Sequence, residues 1–154
     1  MNEAPPADLS GLPLLNPGTF PDCFVCGPAN PHGLHLHVHA DGTDAVAVYH
    51  PEAHHEGYPQ HFHGGLVGLL VDEMLVYAGA PHGLWGMTAK VGYRIRRPIP
   101  LDAPLGMRAR LVQRSGRGFR AVVGIHLEDG TLAAEGEGTC ILWSGETPAV
   151  QGEG

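Results

Sequence analysis

Reading for chemistry, the stretch Glu56-Gly-Tyr-Pro-Gln-His-Phe-His63-Gly64-Gly65 stands out, because it runs straight into an apolar segment that carries Asp72 and Glu73. Two glycines at the start of a helix let the backbone approach a ligand closely. The N–H groups left unpaired there, at the positive end of the helix dipole, can hold a carbonyl oxygen as it becomes anionic. This is an oxyanion hole in outline. Asp72 then falls two turns into the helix, where an isolated charge is costly and the carboxylate must be paired, shifted in pKa or chemically used. A purely structural Asp72, turned toward an arginine or capping a loop, fits the same position. Gly65 and Asp72 are seven residues apart, so they share a helix face but are separated by about 10 Å along the axis. One chain cannot bring both to the same atom, whereas an antiparallel copy of the helix across a two-fold axis can set Asp72 of one chain opposite Gly65 of the other.

The elements that must position these residues follow from periodicity. Gly64 to Ala78 is almost wholly apolar apart from Asp72 and Glu73, which predicts a core helix. Before it, Leu34, Leu36 and Val38 alternate with His35, His37 and His39, predicting a half-buried strand that ends at the Asp41-Gly42 turn, with Ala45 to His50 as its hairpin partner. The histidine row is expected to face solvent or an interface. After the helix, alternation recurs at Met87 to Arg96, Leu105 to Gln113, Phe119 to Leu127 and Thr131 to Trp143, with turn signals between. One buried helix followed by a meander of strands is an α+β arrangement in which an antiparallel sheet wraps the helix.

With 154 residues the chain has the size of one domain. The division expected is an N-terminal arm at 1–20, rich in Pro and Gly and poorly ordered apart from local docking through its leucines, a folded body at 21–144, and a polar, flexible tail at 145–154. No uninterrupted apolar run reaches the roughly 18 residues of a membrane span, and Met1 to Asp8 carries acids where a secretory signal would be basic, so no membrane association and a cytoplasmic location are expected. The net charge of −7 argues against a nucleic-acid partner. All nine basic residues lie between Lys90 and Arg120. Solvated strand faces account for most of them, and a phosphate-rich ligand such as coenzyme A is the sharper reading for a subset, with Arg94, Arg96, Arg97, Arg117 and Arg120 as candidates. Eleven histidines and the Cys23-x-x-Cys26 pair invite a metal reading. A single Cys-x-x-Cys lacks a second pair, and His61-x-His63 has no carboxylate after it until Asp72, so no metal and no cofactor are expected. Cys23, Cys26 and Gly27 read instead as shaping a loop over the sheet.

His63-Gly64-Gly65 followed by Leu69-Leu70-Val71-Asp72-Glu73 resembles the hotdog-fold thioesterases of the phenylacetate-type and 4-hydroxybenzoyl-CoA-type superfamily. The resemblance extends to Cys23-Phe-Val-Cys26-Gly27-Pro-Ala-Asn30-Pro-His-Gly33-Leu34 before the helix, and to Thr88 and Tyr93-Arg-Ile-Arg-Arg-Pro98 after it, covering about 23–143. It implies a hotdog fold, dimers with sheets joined edge to edge and often paired into homotetramers, and hydrolysis of acyl-CoA at the dimer interface. Carried over by position, Asp72 is the acid, as general base or nucleophile. His63 orients substrate or water, Gly65 or Gly64 supplies the N–H for the thioester carbonyl, and Thr88 lies near the acid. Glu73, about 100° further round the helix, ranks second as the acid. Some members carry Asn six residues before the motif His, where this chain has Gly57; Glu56, Gln60 or His61 must replace it, or nothing does. The acyl pocket is expected to be lined by the middle of the partner helix and by residues around Tyr77, Leu84 and Trp85. Two other readings stay open, a hydratase or dehydratase on acyl thioesters and a non-catalytic acyl-CoA-binding module.

Overall fold

A computed structural model describes residues 3–16 and 20–143. Ser144 and the tail at 145–154 lie outside the described residues. Six strands form one antiparallel sheet: β1 (His39–Asp41), β2 (Asp44–Tyr49), β3 (Gly86–Ile95), β4 (Leu105–Ser115), β5 (Gly118–His126) and β6 (Leu132–Leu142). Their order across the sheet is β1-β2-β4-β5-β6-β3. The single α-helix, α1 (Gly64–Tyr77), lies in the concave face and packs on β2, β3, β4, β5 and β6. This is the hotdog architecture, an antiparallel sheet wrapped round a central helix.

The helix is core for a simple reason. Val67, Leu70, Val71, Met74, Leu75 and Tyr77 are all buried, and each large apolar side chain withdrawn from water contributes about 1.5–3 kcal/mol. The sheet can close this tightly because β6 presents glycines to the helix. A Cβ on Gly136 would stand 2.4 Å from Val71 Cγ1, and one on Gly138 would stand 2.8 Å from Leu75 Cδ1. The stretch Gly64–His82 is also long and apolar enough, by composition, to cross a bilayer, contrary to the sequence expectation. Its position inside the sheet accounts for the apolarity.

Five strands and the helix fall within a residue or two of their expected bounds. The Leu34 to Val38 segment does not, since regular pairing starts only at His39. Its alternation is real, with Leu36 and Val38 buried and His35 and His37 exposed, but its partners are loops. Leu34 and Leu36 donate to the carbonyls of Phe24 and Val25, and Val38 accepts from Leu15. His35 adopts φ 53°, which breaks an extended ladder. The arm docks here as well. Leu9, Leu15 and Asn16 are buried, and the Asn16 side chain donates to the Leu36 carbonyl and accepts from the Val38 N–H, both at 2.8 Å.

Candidate active site

The glycine motif forms the first turn of α1. His63 is the N-cap, with extended backbone, and its Nδ1 accepts the Gly65 N–H at 2.9 Å. The next two amides, of Leu66 and Val67, both donate to the His63 carbonyl. Gly64 N–H has no acceptor among the described residues, while the Gly64 carbonyl accepts from the Tyr93 hydroxyl at 3.1 Å. The donor left facing outward is therefore that of Gly64, and Gly65 N–H is already committed. Accepting at Nδ1 places a neutral His63 proton on Nε2, which can donate.

Ahead of the helix, Glu56 to Phe62 doubles back on itself. Glu56 bridges Phe62, and Gly57 N–H donates to the His61 carbonyl. Gly57 occupies the position of the family Asn, and a Cβ there would come within 3.0 Å of His63 Cα and 3.3 Å of its ring. A side chain at 57 would press on the cap, which would have to give by a few tenths of an ångström. This loop, the first turns of α1 and the end of β3 enclose a cleft of about 1030 Å³. Its walls include Glu56, His61, Phe62, His63, Gly64, Val67, Ile95 and Ile99. Gln60 lies outside that wall, its N–H held by the Glu56 carboxylate.

The structure divides the five candidate arginines. Arg96 and Arg97 line the cleft, Arg94 lines a separate groove with Glu135 and Glu137, and Arg117 and Arg120 line a third beyond the far ends of β4 and β5. Arg96 is also paired with Glu135, and Arg97 has no carboxylate within 4.0 Å among the described residues.

The two adjacent carboxylates part company. Asp72 lies towards the β3 and β6 side of the helix, near the register pair Thr88 and Cys140. Burial is the main reason the Cys140 thiol is pushed up to about 11; the Thr88 hydroxyl opposes that shift and the Asp72 charge adds to it. Thr88 lies beside a bulge in β3, paired in register with Cys140. Glu73 turns instead to the N-terminal loop, 3.6 Å from Cys23 Sγ. Burial raises its pKa, hydrogen bonds from Cys26 and Cys23 pull the other way, and the Asp72 charge adds to the rise.

Asp72 does not line the cleft that holds Gly64 and His63. Nor do Tyr77, Leu84 and Trp85, which were expected around the acyl chain. They are core residues, with the rings of Tyr77 and Trp85 meeting edge to face at 5.4 Å. The cleft walls Phe62, Ile95 and Ile99 went unread in the sequence. So did Tyr93, whose ring needs the bare Cα of Gly68, since a Cβ there would sit 2.6 Å from Tyr93 Cε1. A glycine inside an apolar helix was the available signal.

No protein-family model and no curated protein matches the chain. Solved structures do. A thioesterase superfamily protein is 29% identical, with TM-score 0.75 over 88% of this chain and 68% of its own. The E. coli PaaI protein from the phenylacetic acid degradation operon is 20% identical, with TM-score 0.67 over 73% of this chain and 82% of its own. A Streptococcus mutans protein bound to acetyl CoA is 14% identical, with TM-score 0.65 over 70% of this chain and 88% of its own. The six-stranded antiparallel sheet wrapped round a helix matches these structures, so the chain has the hotdog fold and is structurally similar to proteins of the thioesterase superfamily.

Proposed function

We propose that the protein is an acyl-CoA thioesterase working as a homodimer or homotetramer in the cytoplasm. The observation that carries the reading is the cleft at the N-cap of α1, which combines an uncommitted backbone donor at Gly64, a His63 fixed by its bond to Gly65, an apolar wall and two arginines. The apolar wall suits an acyl thioester and its pantetheine arm. Arg96 and Arg97 suit the phosphates, and the S. mutans relative with acetyl CoA bound supports that ligand class.

In this reading the thioester carbonyl oxygen sits at Gly64 N–H, at the positive end of α1, where charge developing on oxygen is stabilised. Asp72 of a second copy, brought across the open β3 edge, either takes a proton from water as it attacks the carbonyl carbon or attacks as a nucleophile itself. The C–S bond then breaks and the CoA sulfur leaves as thiolate and takes up a proton; with water as the attacking group the free acid is released directly, and with Asp72 as nucleophile a water then hydrolyses the acyl–Asp72 anhydride, releasing the acid and restoring the carboxylate. His63 Nε2–H holds the substrate or the water, and Thr88 keeps the acid's surroundings polar.

The test is thiol release from a panel of aromatic and aliphatic acyl-CoAs by wild type and Asp72→Asn. A drop of roughly 10²–10⁴-fold in kcat with acyl-CoA affinity retained is the expected result. Affinity without turnover in wild type would make the protein a binding module. Turnover unchanged by Asp72→Asn would remove that residue from the chemistry.

A further inference from the structure

The hairpin of the N-terminal loop and the flank of α1 opposite the cleft bring three metal-ligand side chains together. One donor atom from each of Cys23, Cys26 and Glu73 lies within 4.8 Å of the other two. The sequence supplies two of these donors in a Cys-x-x-Cys-Gly turn, and the fold supplies the third from a residue 47 positions further along the chain. The turn is tight. Gly27 N–H donates to the Cys23 carbonyl at 2.8 Å, and a Cβ on Gly27 would fall 2.4 Å from Cys23 N and 2.5 Å from the Pro21 carbonyl oxygen. Only glycine allows the chain to turn this sharply and aim both sulfurs at the helix.

We propose that Cys23, Cys26 and Glu73 form a zinc site that ties the N-terminal loop to α1. The donor set is two thiolates and a carboxylate, a combination in which the soft sulfurs select zinc over magnesium or calcium. The spacing agrees. A zinc holding a thiolate at about 2.3 Å and a carboxylate oxygen at about 2.0 Å in tetrahedral geometry sets the two donors about 3.5 Å apart. Cys23 Sγ and Glu73 Oε1 are 3.6 Å apart. The Tyr77 hydroxyl, 3.3 Å from Cys26 Sγ, supports that sulfur from behind, as partners of metal ligands commonly do. A water completes the fourth position.

The charge balance points the same way. The Glu73 carboxylate lies beside two thiols and has no Lys or Arg partner within 4.0 Å among the described residues. A divalent cation there displaces both thiol protons to solvent and replaces the thiol–carboxylate hydrogen bonding with ligation. It also fixes the flank of α1 that immediately adjoins Asp72. A second cluster, Glu52, His54 and His55, offers less, because His55 Nδ1 already accepts the Glu52 N–H at 3.0 Å.

The experiment is metal analysis of the untagged, reduced protein after exposure to zinc, with cobalt(II) as a spectroscopic stand-in. Wild type is expected to retain about one zinc per chain after desalting. Its cobalt form should show a thiolate-to-metal charge-transfer band in the near ultraviolet. Cys23→Ser and Cys26→Ser should lose the band and at least tenfold in zinc affinity. Glu73→Gln, the mildest change in shape, should keep the band and weaken binding, which guards against a cysteine variant that fails to fold. Absence of stoichiometric metal in reduced wild type would overturn the assignment, as would a cobalt spectrum unchanged by either cysteine variant.

Discussion

At the β1 edge of the sheet the chain closes itself, whereas at the β3 edge a ten-residue strand runs with one side unpaired among the described residues. The closed edge is short and covered. Leu14 bridges His39, Ala40 N–H donates to the Pro13 carbonyl, and Arg108 joins Asp41 and Asp44 in ion pairs of 2.8 and 2.9 Å with Arg110 alongside. The open edge has the opposite character. Met87, Val91, Tyr93 and Ile95 are between 41% and 59% exposed along it. Natural sheets blunt an edge of that length unless something pairs with it. The same strand supplies the cleft with Ile95 and carries Thr88, whose register partner Cys140 feels the Asp72 charge, so the open edge is the one beside the candidate site. In the proposed dimer, a second copy of this edge would both complete the sheet and deliver the Asp72 carboxylate to the cleft.

The largest effect should come from placing a charge on the open edge. Val91→Arg is expected to turn the dimer or tetramer into a monomer in sedimentation, keep the far-ultraviolet circular dichroism, and abolish thioester hydrolysis. A wild type that sediments as a monomer, or a monomeric variant with full activity, would end the shared-site account. On the closed edge the loss should be of stability, with assembly kept. Asp44→Ala leaves the buried Arg108 guanidinium with Asp41 as its one carboxylate among the described residues and Arg110 with none, and should cost about 3 kcal/mol in urea unfolding.

The same carboxylate gives a pH signature. Burial by itself would raise the Asp44 pKa, but hydrogen bonds and charge from Arg110 and Arg108 win and hold it below its ordinary 3.8. A depressed carboxyl stabilises the fold above its unfolded-state pKa and loses that contribution as pH falls through the folded value. Wild type should therefore lose stability on acidification below about pH 4, with a shallower fall in Asp44→Asn. The smallest effect belongs to the arm. Asn16→Ala leaves the Val38 N–H and Leu36 carbonyl without their buried partner and should cost about 1–3 kcal/mol, read as an earlier urea midpoint with the assembly intact.

The contrast between the edges was invisible in the amino-acid order. Both β1 and β3 belong to alternating stretches, and alternation reports which side chains share a face without saying which strand lies last in the sheet. For the same reason Leu34 to Val38 was read as a strand, although loop carbonyls and Asn16 satisfy its backbone. The candidate site was legible where chemistry is local. A glycine turn at a helix start and Asp72 as a costly charge in an apolar helix follow from neighbours within one helix, whereas His63 as the cap, and the choice of Gly64 over Gly65 as the uncommitted N–H, came only with the structure.

What the sequence by itself determined is thus the set of short-range facts: a core helix opened by a glycine turn, four long strands after it, and a seven-residue gap that puts Asp72 beyond reach of its own glycine motif. The tertiary structure alone decided which distant residues meet. It put Arg96 and Arg97 at the cleft and sent Arg117 and Arg120 elsewhere, moved Tyr77 and Trp85 from the expected pocket into the core, and laid Glu73 against two cysteines 47 and 50 positions away. Periodicity is a property of consecutive residues, whereas these pairings depend on strand order and on how closely the sheet can wrap the helix, which β6 settles with Gly136 and Gly138.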